Sequence, residues 1–147
     1  MTATIKQYLK QLLKVMGKDN PHAKKYYSFI LKNGKSFRSD YSWKKNKEKN
    51  KLIEGIQPKQ KECYKNAQML TIIGKLKYFE GFGFTKGIGK TGIAIPHAWC
   101  VNENRIIDIT WEDGIEYFGV EIPFDYIKNA FNKGYFEAVL EDYIFKK

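Results

Sequence analysis

The stretch IAIPHAWCVNENRIIDITW, residues 93–111, decides how the chain is read. Two runs rich in β-branched and aromatic residues flank Asn102, Glu103 and Asn104, the pattern of an antiparallel hairpin. Each run carries an ionisable group in its interior, His97 in the first and Asp108 in the second. Period-two geometry decides whether they meet. With a loop of two or four residues, Val101 pairs with Ile106, Trp99 with Asp108 and His97 with Thr110. His97 and Asp108 then share a face as diagonal neighbours, roughly 7–8 Å apart at the backbone. A three-residue loop without a bulge puts them on opposite faces. The sequence admits both registers.

Upstream, KECYKNAQMLTIIGKLKYFEGFGF reads as a helix over about 59–73, broken at Gly74 and followed by a strand through Tyr78 and Phe82. Pro58 suits the first turn of that helix, which places Cys63 in or just after it. The intervening TKGIGKTG is a glycine-rich turn rather than a phosphate loop. Phe84 stands where that motif needs its first glycine, and the turn leads into an apolar run instead of a helix. Downstream, EYFGVEI reads as a strand, 123–132 as a helix with Gly134 after its end, and YFEAVLEDYIF as a last element. At the other end, Ile5, Leu9, Leu12, Leu13 and Met16 fall at helical spacing with lysines opposite and Gly17 as the stop. A second short helix is expected over about 24–31, ended by NGK, with His22 in a turn and without a role. These elements predict one α+β domain over 1–147. Residues 1–56 form a basic, helical N-terminal part, and 57–147 form a core in which the Cys-bearing helix packs on a small antiparallel sheet.

The net charge of +10 is unevenly spread. Residues 1–62 hold 16 Lys/Arg against 5 Asp/Glu, a balance of +11, and residues 63–147 hold 10 against 11, a balance of −1. The basic end, including the charged run 42–51, is the expected footprint for an acidic protein or a nucleic acid. No apolar run approaches the roughly 20 residues that span a bilayer, and lysines interrupt the N-terminal apolar residues where a signal peptide needs continuity. A cytoplasmic protein with free thiols at Cys63 and Cys100 is expected. No metal is expected, because His97 and Cys100 alternate to opposite sides of a strand and a fourth ligand is not evident. No cofactor motif is present either.

A carboxylate bonded to one imidazole nitrogen fixes the tautomer and leaves the other free to move a proton. The nucleophile it would serve is Cys63, where the helix N-terminus and a nearby imidazolium are expected to lower the thiol's pKa. The Cys63 amide and the side chain of Gln57 or Gln60 are the expected oxyanion donors, Gln57 preferred. Trp99, Trp111, Tyr78 and Tyr117 are expected in the core or along a substrate cleft. Glu80, ionisable on an apolar strand, is a candidate for substrate binding or for capping the site.

The order Cys63, then HAW at 97–99, then DIT at 108–110 resembles the transglutaminase-like branch of the papain-like cysteine enzymes. The run CYKNAQ … YFEGF … HAWCV … IIDITW … YFGVEIP also resembles short proteins of phage and bacterial genomes, over about residues 57–123. Glu62 and Tyr64 beside the cysteine depart from the family's usual flanks. The resemblance implies a papain-like or transglutaminase-like fold and a Cys63–His97–Asp108 triad, with Gln57 as the papain-type oxyanion donor. It also implies a thiol-dependent protease, amidase, deamidase or transferase acting on an amide or isopeptide of a protein or peptide. In a phage setting it would act on a host protein in the host cytoplasm.

Overall fold

The computed structural model describes residues 4–38, 62–85, 93–111 and 113–146. The charged run 42–51, Pro58, Gln57, Gln60 and the loop 86–92 lie outside them. The architecture is α+β. All pairings of its five described strands are antiparallel, in the order β1-β5-β2-β3-β4. The strands are β1 (Lys35–Arg38), β2 (Lys77–Thr85), β3 (Ile95–Asn102), β4 (Arg105–Ile107) and β5 (Gly114–Ile122).

Each N-terminal helix starts on a side-chain cap. The Thr4 hydroxyl accepts the Gln7 amide while the Gln7 side chain accepts the Thr4 amide, opening α1 (Ile5–Met16). Asn20 accepts the Ala23 amide and Pro21 occupies the first turn of α2 (Pro21–Asn33). Ile5 and Leu9 are buried and Leu12 is half-buried, so the apolar stripe of α1 packs on the protein's own core, while Val15 and Met16 remain exposed. Helix α2 begins earlier than the sequence pattern suggested and takes His22 into its first turn. There the imidazole pairs with Glu141 at 2.6 Å and stacks on Phe145 at 4.0 Å, so His22 ties α2 to the C-terminal helix. Strand β1 has no periodic signature and was not anticipated; pairing with β5 makes it a strand.

The hairpin loop is two residues. Glu103 and Asn104 both have positive φ, 51° and 67°, and Asn102 pairs with Arg105, which brings Val101 opposite Ile106. The ladder stops at Cys100 and Ile107, so the expected pairs Trp99 with Asp108 and His97 with Thr110 do not form.

The sheet curls until its two outer strands, β1 and β4, approach each other. Its convex face carries the helices over Leu70, Tyr78, Cys100, Phe118 and Ile122. Those helices include α3 (Cys63–Gly74), α4 (Phe124–Asn132) and α5 (Leu140–Phe145). Its concave face is filled by Phe79, Trp99, Val101, Ile106 and Tyr117, with Phe37 edge-on to Phe79 at 5.1 Å. Among the described residues no helix is long and apolar enough to cross a membrane.

The curl needs glycine at Gly81, which lies between His97 on β3 and Gly119 on β5. A Cβ at Gly81 would sit 2.2 Å from the Phe118 carbonyl oxygen and 2.5 Å from the Gly119 Cα, both backbone atoms of the neighbouring strand. No side-chain rotation relieves that overlap. Gly81→Ala is expected to cost about 3 kcal/mol or more, read as a lowered urea midpoint; a midpoint equal to wild type would contradict this packing.

Candidate active site

Beyond Ile107 the chain leaves the ladder because Asp108 turns its carboxylate onto its own backbone. Oδ1 accepts the Thr110 amide at 2.9 Å and the Trp111 amide at 3.1 Å, a local turn that competes with strand pairing. Oδ2 points into the concave core and accepts His97 Nε2–H at 2.8 Å and the Tyr117 hydroxyl at 2.8 Å. His97 and Asp108 are 1% and 3% exposed. A carboxylate can only accept, so Nε2 carries a proton, and the neutral form of the ring presents its lone pair at Nδ1. The His97 ring is held flat against Trp111, centroids 3.6 Å apart and planes 6° from parallel.

Cys63 is the first residue of α3 and is half-buried. The backbone amides of Ala98 and Tyr64 act on its sulfur and favour its charged form. By strand alternation the Ala98 amide points to the same side as those of Cys100 and Asn102, toward β4. Because β4 has ended, that amide is free to reach the thiol. The same early end of the ladder thus makes room for the Asp108 turn and for the sulfur, and it sets Cys63 on the residue next to His97. Among the described residues the hydrogen bond recorded for the His97 ring is the one to Asp108.

The electrostatics of the thiol differ from the sequence-based expectation. Burial pushes Cys63 up to about 11; the Ala98 and Tyr64 amides pull it down, and the charges of Asp108 and Glu80 push it further up. The helix contributes the Tyr64 amide and β3 the Ala98 amide, His97 is not among the groups acting on the sulfur, and loss of water outweighs both amides. The resting site holds a thiol, not a thiolate.

The cysteine helix and the aspartate turn are joined directly. Asn66, one helical turn after Cys63 and buried, donates from Nδ2 to Thr110 Oγ1 at 2.8 Å. Neither Asn66 nor Tyr117 was singled out as part of the polar network from the sequence. The available signals were the i+3 spacing of Asn66 from Cys63 and the period-two alignment of Tyr117 with Gly119 on the concave face.

The remaining expected residues separate from this group. Trp99 is buried in the concave core, 6.2 Å from the His97 ring, with its indole Nε1 unpartnered. Trp111 is the half-buried lid of the imidazole. Glu80 lies on the other face of the sheet, where its oxygens accept the Tyr78 hydroxyl at 2.8 Å and the Val139 and Leu140 amides at 2.9 and 3.0 Å. Cys100 is buried and unbridged; its thiol donates to the Ala67 carbonyl at 3.2 Å, and burial pushes it up to about 12. Among the described residues no group of three or more His, Cys, Asp and Glu side chains is arranged to hold a metal ion.

Models of known families, curated proteins and solved structures gave no match to this chain.

Proposed function

We propose that the chain is a thiol-dependent hydrolase or acyltransferase of papain-like or transglutaminase-like architecture, acting on an amide or isopeptide of a protein or peptide. The observation that carries this reading is the buried His97–Asp108 pair at 2.8 Å, with the Cys63 sulfur acted on by the amide of Ala98, the residue next to His97. A buried imidazole with one nitrogen committed to a carboxylate has the other available for proton transfer.

In the proposed reaction, Nδ1 of His97 takes the S–H proton as the sulfur attacks the carbonyl carbon, forming the C–S bond. The imidazolium, stabilised by Asp108, gives that proton to the leaving nitrogen as the C–N bond breaks. Water or an amine then attacks the thioester and returns the thiol. Because burial holds the thiol up at about 11, proton transfer accompanies attack instead of preceding it. The oxyanion is assigned to the Cys63 amide and the Gln57 or Gln60 side chain.

The test is the rate of iodoacetamide alkylation of Cys63 against pH in a Cys100→Ser background, with and without His97→Ala. A His97-assisted rate at neutral pH that falls at least about 100-fold in His97→Ala is expected. Equal rates in the two backgrounds would remove the activated pair.

A second reading has its own observation. Residues 4–38 carry nine Lys/Arg side chains, all exposed, against one acid, Asp19, which suits binding of an acidic protein or nucleic acid without catalysis. It requires salt-sensitive binding that is indifferent to Cys63→Ala.

A further inference from the structure

We infer that Tyr117 is a positioning residue that sets the proton affinity of His97 through Asp108. It rests on the acyl-transfer reading for its consequence in catalysis, and on geometry alone for the effect itself.

The phenol reaches the site from β5, and its hydroxyl donates to Oδ2, the same Asp108 oxygen that accepts His97 Nε2–H; both distances are 2.8 Å. Two donors on one oxygen divide its negative charge between them. An imidazolium at His97 gains less from that oxygen than it would from a carboxylate that it held alone. The site is built to admit the phenol. Gly114 begins β5, and a Cβ there would lie 1.9 Å from the Tyr117 hydroxyl oxygen, so any other residue would displace it. The ring is wedged between Trp99 at 5.0 Å and Trp111 at 6.0 Å.

Among the described residues the titratable groups around Asp108 are His97 on β3, Tyr117 on β5, Cys63 on α3 and the buried Cys100 of β3, whose two thiols both feel its charge. Oδ1 is satisfied by backbone amides, which do not titrate. Tyr117 is thus the uncharged group in direct contact with the oxygen that His97 uses. Functionally, a general base that must later act as acid needs a moderate proton affinity. Sharing Oδ2 keeps the Asp108 carboxylate from trapping His97 as its imidazolium.

The experiment is the titration of the His97 ring by 15N NMR on the full chain, whose other histidine, His22, is exposed on α2. Wild type is compared with Tyr117→Phe and with 3-fluorotyrosine placed at position 117. Removing the hydroxyl is expected to raise the His97 midpoint by about half a unit or more, and the more acidic fluorophenol to lower it. The acid limb of any turnover profile should move with it in each variant. An unchanged midpoint in both variants would overturn the inference. Should Tyr117→Phe fail to fold, the nearly isosteric fluorotyrosine decides by itself. The titration needs no substrate. A midpoint that moves as expected, in a protein whose activity survives Cys63→Ala, would therefore retain the role of Tyr117 and remove the acyl-transfer reading.

Discussion

Asp108→Asn is expected to lower stability by about 3 kcal/mol and, in the proposed acyl-transfer reaction, turnover by about 1,000-fold or more. The reason is a count of donors. The aspartate accepts four hydrogen bonds, two on each oxygen, from His97, Tyr117, Thr110 and Trp111. An asparagine has one acceptor oxygen, so its NH2 must face two of these donors wherever it is placed. Facing His97 and Tyr117, it forces the imidazole into the other tautomer. The lone pair then sits at Nε2 and the proton at Nδ1, where the proposed reaction needs a base. Facing the backbone, it leaves the Thr110 and Trp111 amides without their acceptor, and the turn that seats Trp111 on His97 loosens. The first outcome costs mainly activity and the second mainly stability. Ring 15N shifts report the tautomer, a urea midpoint reports stability, and turnover within tenfold of wild type would exclude Asp108 from the chemistry.

The second large effect lies across the sheet. Glu80→Ala would strip the Val139 and Leu140 amides and the Tyr78 hydroxyl of their acceptor at once. Each buried donor left unpaired costs about 1–3 kcal/mol, so a loss of about 4 kcal/mol is expected, with α5 released first. The same carboxyl makes stability depend on pH. Burial pushes Glu80 up to about 7, against the pull of its three hydrogen bonds. An acid with a raised folded pKa favours the folded chain most while it is protonated. Its contribution is complete below the ordinary value of 4.5 and is lost as pH rises through about 7. At about 1.4 kcal/mol per unit, the full loss over this shift is about 3–4 kcal/mol. Urea unfolding at pH 5 and pH 8 should show this decline in wild type. The decline should be absent from Glu80→Gln, which is less stable throughout; an identical pH dependence in the two proteins would contradict the assignment.

The glycine between His97 and Gly119, the phenol on Asp108 and the amide on Cys63 all come from other parts of the chain, which explains how unevenly the site was legible. Local patterns marked the hairpin around Glu103 and Asn104, the apolar stripe of α1 with its stop at Gly17, and Cys63 near a helix start, because each depends on residues within a few turns or one strand pair. Local pattern could not show that the ladder ends at Ile107. The Asp108 carboxylate competes for the Thr110 and Trp111 amides, and that competition is won in three dimensions by the bonds that Oδ2 makes to His97 and Tyr117. The thiol shows the same division. Its place on the helix predicted a lowered pKa, and the packing of α3 on β3, invisible to spacing, raised it.

By itself the sequence determined the α+β pattern, the hairpin whose two runs carry His97 and Asp108, and the concentration of positive charge at the N-terminal end. Periodicity, turn residues and composition are properties of neighbours along the chain. Only the tertiary structure decided that Asp108 serves His97 and Tyr117 through one oxygen, that Glu80 holds the start of α5 instead of facing His97, and that Cys63 rests as a thiol. Each of these depends on which groups share a site after water has left it, and residues 9 to 60 positions apart become partners only when the curled sheet brings them together.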